Sequence, residues 1–168
     1  MASDRGVSAD LRPDELDPEW FAGCTHLHIS GYCLAGEPGR AAAQRAAELA
    51  RAGGAAVSID LSASTVIESC GVERFRVLVV ALAPDIVFCN KDEDRAIGGA
   101  IPGTTWILKR GARGASFAGD ERPAKPAEVV DGTGAGDALA AGWIVGGPDL
   151  ALAAAARCVA TVGAMPGR

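Results

Sequence analysis

The segment Asp131-Gly132-Thr133-Gly134-Ala135-Gly136-Asp137 sets the tightest limit on what this chain can fold into. It places small residues and a carboxylate directly ahead of an apolar, helix-forming run at 138–145. A glycine-rich turn feeding a helix aims several backbone N–H groups at one spot, and the macrodipole adds partial positive charge there. Such a spot suits a phosphate, or negative charge that develops during a reaction. Asp137 stands at its edge, where a general base for an attacking hydroxyl is needed. Taken alone, the stretch reads equally as a Gly-rich turn with an aspartate helix cap.

The remainder of the chain alternates between strand-like and helix-like stretches. Residues 25–30, 55–60, 85–89 and 104–108 read as strands, and 114–117 as the arm of a hairpin. Helical patterns cover 40–52, 72–83, 93–97, 135–145 and 149–162, while 31–39 and 62–65 read as loops. This order predicts an α/β domain with a mostly parallel sheet flanked by helices. The run 86–89 is almost wholly apolar, as suits a parallel strand buried on both faces. Open α/β sheets bind ligands at the carboxyl ends of their strands. Asn90, Gly111 and the heptad each follow a strand or extended segment directly, so they are expected on one rim.

The heptad resembles the signature of the ribokinase-like (PfkB) family of carbohydrate and nucleoside kinases, Asp-Thr-Thr/Asn-Gly-Ala-Gly-Asp, with Gly132 in place of the second-position Thr. Two further segments resemble that family in the same order. Asn90-Lys91-Asp92-Glu93 fits its Asn-x-x-Glu motif, and Lys109-Arg110-Gly111-Ala112-Arg113-Gly114 fits the strand-turn ahead of the nucleotide loop. The resemblance runs from about Cys24 onward, which divides the chain into a polar segment, 1–22, and the C-terminal part of a PfkB-type domain, 23–168.

The resemblance implies a ribokinase-like fold and an ATP-dependent transfer of the γ-phosphate to a hydroxyl of a sugar or nucleoside. In that reading Asp137 is the base, and the backbone N–H groups of Gly134, Ala135 and Gly136 form the anion hole. Asn90 and Glu93 organise Mg²⁺ and the phosphates, Glu93 acting through metal-bound water. Lys109, Gly111 and Gly114 lie against the nucleotide, and Asp131 and Thr133 belong to a region that holds a monovalent cation in some relatives. The plainer readings are an Asn cap on an acidic helix start for Asn90 and Glu93, and an exposed charged pair for Lys109 and Arg110.

The family's first strands, its substrate-binding Gly-Gly segment and its β lid have no counterpart before Cys24. The nucleotide side is therefore expected to be present and the acceptor side absent, as in a truncated gene product. Sheet surface left uncovered should favour association into homo-oligomers. A non-catalytic nucleotide-binding fragment is the alternative to an active kinase.

Composition narrows the field further. The net charge of −5 and the lack of basic clusters interleaved with aromatics argue against nucleic acid or a membrane surface as partner. No uninterrupted apolar run approaches the roughly 20 residues of a membrane span. Five scattered cysteines with no Cys-x-x-Cys pair suit free thiols in a reducing cytoplasm. His26 and His28 share a strand face, but no neighbouring Cys, Asp or Glu completes a metal set.

Overall fold

The computed structural model describes residues 10–164, which form two units dividing between Trp106 and Ile107. In the first unit, β1 (His26–Ser30), β2 (Ala56–Asp60) and β3 (Ile86–Asn90) pair in parallel in that order. Leu27 lies opposite Val57, and Ile59 opposite Val87. Parallel neighbours need a crossover. Here α1 (Gly39–Ala52) supplies the first, and α2 (Ser64–Cys70) with α3 (Val72–Ala81) the second. β2 is buried from Val57 onward, Ser58 and Asp60 included, and β3 is buried along all but its last residue; burial on both faces is why β3 lacks polar alternation. Val57, Ile59, Val87 and Phe88 pack into a core with Leu34, Ile67, Phe75 and Val79, all at 0% exposure.

The short α4 (Lys91–Ile97) follows β3 directly. It ends at Gly98 in the left-handed conformation. The Arg76 guanidinium on α3 closes this end by donating to the carbonyls of Ile97, Gly99 and Ala100. β4 (Thr105–Lys109) starts in this unit, where the Thr105 N–H donates to Asp85 O at 2.8 Å, and carries the chain into the next.

In the second unit β4 pairs antiparallel with β5 (Ala115–Phe117), and β5 with β6 (Asp120–Arg122). The expected parallel pattern therefore holds for β1 to β3, and the strands as a whole are mixed. The reason lies in the connections: the links 110–114 and 118–119 are too short for a crossover helix. Ala118 and Gly119 have φ of 52° and 94°, the two positive values of a tight two-residue hairpin. β6 carries three charged residues and no apolar alternation, so its pairing with β5 rather than its own pattern makes it a strand.

The last element is α5 (Ala135–Val159), broken where Gly146 and Gly147 leave helical dihedrals ahead of Pro148. A Cβ on Gly142 would lie 2.7 Å from the Leu150 carbonyl oxygen and 2.8 Å from the Ala151 Cα. The two arms thus meet backbone to backbone, which only glycine permits. α5 has the length and apolar character of a membrane span. The break leaves arms of about 17 Å each, well short of the roughly 30 Å hydrocarbon core.

Candidate active site

The heptad lies wholly in the second unit and is fastened at its start. Asp131 Oδ1 accepts from the Thr133 N–H at 2.9 Å and the Thr133 hydroxyl at 2.7 Å, and Oδ2 accepts from the Gly163 N–H at 2.9 Å. The N–H groups of Val130 and Asp131 both donate to Val159 O, at 2.8 and 3.2 Å. Cys158, fully buried, donates its thiol to Thr133 O at 3.4 Å. These contacts hold the loop against the C-terminal end of α5. They also hold the Asp131 carboxyl below its usual range, through the Thr133 N–H first, then the Gly163 N–H and the Thr133 hydroxyl.

Gly134 is the N-cap of α5, with φ 78° and ψ −2°, and no side chain caps this helix. A Cβ there would sit 2.8 Å from both the Cα and the Cβ of Ala164. Conformation and packing each require glycine at this position. Asp137 is the third residue of the helix, so it is not the cap. It is exposed, and among the described residues its carboxylate has no hydrogen bond or ion pair. The Ala135 N–H reaches back to Gly132 O at 3.3 Å, while those of Gly136 and Asp137 have no partner among the described residues.

A lysine lies against this helix start. A Cβ on Gly136 would be 3.3 Å from Lys109 Nζ and 3.6 Å from its Cδ. Its neighbour Arg110 is engaged elsewhere, in a 2.5 Å ion pair with Glu121. That pairing raises the Arg110 pKa and lowers that of Glu121, chiefly through their hydrogen bond.

Lys109 and Gly136 both line a cavity of about 580 Å³. Gly111, Ala112 and Gly114 form one side of it, and the segment 124–129 contributes five residues. Leu152, Ala155, Ala156 and Val159 supply a wall from the second arm of α5. Gly114 is glycine for a packing reason, since a Cβ would fall 2.6 Å from Ala124 N and Pro123 C. The sequence names Lys109, Gly111, Gly114, Ala135 and Gly136, all of which line this cavity, and does not point to the α5 wall or the 124–129 segment. The wall had a signal: 152, 155, 156 and 159 follow the i, i+3, i+4, i+7 spacing of one helix face. The segment 124–129 is irregular and had none.

Asn90 and Glu93 lie in the first unit and grip each other. Asn90 Oδ1 accepts from the Asp92 and Glu93 N–H groups at 2.8 and 3.0 Å. Glu93 Oε2 accepts from the Asn90 N–H at 2.8 Å, and Oε1 from Asn90 Nδ2 at 2.6 Å. This is a reciprocal capping box at the start of α4. Glu93 is only 1% exposed, and both of its oxygens are engaged in the box. Among the described residues no three His, Cys, Asp or Glu side chains gather as a metal set.

Two other clusters occupy the first unit. His26 Nε2 and His28 Nδ1 each lie 2.7 Å from the buried Ser58 hydroxyl, so both imidazoles serve one oxygen. At the carboxyl ends of β1 and β2, Ser62 holds φ 71°, its N–H donating to Asp60 Oδ1 at 2.9 Å and its hydroxyl meeting Ser30 Oγ at 2.9 Å.

Comparison with known proteins gives a consistent picture. The sequence model of the "pfkB family carbohydrate kinase" matches residues 1–165. A fructokinase of Klebsiella pneumoniae is 30% identical over 188 aligned residues, covering 92% of this chain and 60% of the relative. The adenosine kinase of Sinorhizobium meliloti superposes with a TM-score of 0.82 at 23% identity, over 94% of this chain and 56% of its own. An Escherichia coli protein assigned as ribokinase II, solved with ATP and Mg²⁺, gives 0.81 at 24% identity, over 98% and 62%. The chain thus spans about three fifths of the length of these relatives.

Proposed function

The chain belongs to the pfkB family of carbohydrate kinases, and we propose on that premise that it carries the family's ATP site and transfers a γ-phosphate to a hydroxyl of a sugar or nucleoside. The observation that carries this reading is Asp137. Its carboxylate is exposed and uncommitted, on a first helical turn whose N–H groups at Gly136 and Asp137 are unbonded among the described residues. A residue serving only as a cap would be bonded to that turn.

In this mechanism the acceptor oxygen attacks the γ-phosphorus and gives its proton to Asp137. The bond from phosphorus to the β,γ-bridging oxygen breaks, and ADP leaves. The N–H groups of Gly134 and Gly136, with that of Ala135 released from Gly132 O, would meet the phosphoryl oxygens, and Lys109 Nζ beside Gly136 would neutralise charge on the same group. Gly111 and Gly114 keep the turn flat against the nucleotide. The cavity has the size of a small-molecule site.

Mg²⁺ arrives with ATP as part of the substrate. As the family resemblance implies, Asn90 and Glu93 would serve it through water, since direct coordination by Glu93 would break the capping box. Asp131 and Thr133 shape the loop. A monovalent cation beside them would meet backbone carbonyls, since the Asp131 carboxylate already accepts three donors.

The test is turnover of the chain with Mg·ATP over a panel of sugars and nucleosides, alongside Asp137→Asn. Loss of a general base should lower turnover by about 10²–10⁴-fold, with nucleotide affinity changed less than about threefold. Equal turnover in both proteins refutes Asp137 as base. The second reading, a nucleotide-binding fragment without catalysis, is favoured by the 60% coverage of the fructokinase. Nucleotide binding with no turnover on any acceptor selects it.

A further inference from the structure

We propose that the cavity of the second unit holds nucleoside triphosphates with little regard to the base, so that GTP, UTP and CTP bind beside ATP. The inference rests on the nucleotide site proposed above and adds its donor specificity.

Apart from Lys109 and Lys125, every residue lining the cavity is Gly, Ala, Val, Leu or Pro. No lining side chain among the described residues can accept a hydrogen bond, and the two that donate are ammonium groups. Lys109 is held at Gly136, on the first turn of α5. Lys125 is paired with Asp149 at 3.7 Å. Pro126, in the wall segment, has no backbone N–H to offer.

Adenine and guanine have nearly the same size and differ in the donors and acceptors along their edges. A site rejects the wrong base strongly only when it leaves a buried polar group unpaired, which can reach 10⁴-fold or more. Walls made of the side chains of Leu152, Ala155, Ala156 and Val159 leave no such side-chain group. They reward buried area alone, and an apolar pocket separates similar ligands by only about 10–200-fold. For two purines of near-equal area the ratio falls to the low end of that range.

The experiment is calorimetric titration of the whole chain with ATP, GTP, UTP and CTP in Mg²⁺, and with inorganic tripolyphosphate as a probe that lacks any base. The expected result is that ATP and GTP bind within about tenfold of each other. The pyrimidine nucleotides follow within a further few-fold, and all four bind more tightly than tripolyphosphate. Ala156→Phe, which fills the cavity, should weaken the four nucleotides at least tenfold and leave tripolyphosphate within twofold. ATP binding more than about tenfold tighter than GTP overturns the inference while leaving the nucleotide site standing. Absence of binding by every nucleotide and by tripolyphosphate overturns the site itself.

Discussion

Alanine at Gly134 should destabilise this protein far more than alanine at Gly132 or Gly136, although the three glycines share one loop. Gly134 adopts φ 78°, where a non-glycine residue costs about 1–2 kcal/mol. Its new Cβ would also stand 2.8 Å from the Cα and Cβ of Ala164. Backbone cannot yield as a flexible side chain does, so overpacking adds about 1–3 kcal/mol. The sum, about 2–5 kcal/mol, lowers the melting temperature by roughly 5–15 °C for a chain of this size. A Cβ on Gly132 meets nothing within 4 Å, so Gly132→Ala should shift it by less than about 2 °C.

Gly136 is helical, and its new Cβ would press on the Lys109 side chain at 3.3 Å. Lysine can swing away, and alanine gains up to about 1 kcal/mol of helix propensity. Gly136→Ala should therefore melt no lower than the parent, yet bind tripolyphosphate several-fold more weakly because Lys109 is displaced. Thermal melts by circular dichroism and a tripolyphosphate titration on all three variants decide it. Equal melting of Gly134→Ala and the parent, or a loss at Gly132 as large as at Gly134, would refute this account of the loop.

Further predictions concern the second unit and the first. Gly142→Ala drives a Cβ to 2.7 Å from the Leu150 carbonyl oxygen, so it should separate the arms of α5, cost about 1–3 kcal/mol and weaken nucleotide binding; unchanged binding and melting would contradict the packing. Asp131 has a lowered pKa in the folded chain, so its stabilising contribution is complete above the ordinary value of 3.8 and is lost as pH falls through the folded value. Asp131→Asn should flatten acid unfolding below pH 3.8, and an unaltered acid limb would argue against the Gly163 contact. His26 also has a lowered pKa, mainly because burial disfavours its charged form, with Asp85 opposing. Its contribution is complete above 6.5 and is lost as pH falls toward the folded value, so His26→Gln should reduce the pH dependence of stability below 6.5.

Much of the fold was legible because burial on both faces leaves a plain mark. The run at 86–89 is apolar enough to read as an interior parallel strand, and it lies in the core. α2 was not legible. Its sequence, STVIESC, mixes β-branched and hydroxyl residues and has no side-chain cap, and the completely buried Ile67 anchors it through contacts distant in sequence. β6 was equally hidden, since three charged residues become a strand only beside β5.

At the site, the glycines and Asp137 announced themselves through spacing. The latch from Asp131 to Gly163 did not, because it joins residues 32 apart through a backbone N–H that any residue supplies. The exchange of bonds between Asn90 and Glu93 follows the Asn-x-x-Glu spacing, which is also that of a capping box. That is why a family motif and a helix start looked alike in the sequence.

On the reading proposed above, this chain assembles a nucleotide site of its own around Lys109, Gly111 and the heptad. Calorimetric titration of the purified chain with Mg·ATP, repeated on Asp137→Asn, tests it most directly. The account predicts saturable one-site binding of similar affinity in both proteins, because Asp137 acts on the acceptor hydroxyl and leaves the nucleotide's phosphates to Lys109 and the helix backbone. A folded sample with no saturable heat in either protein would contradict it.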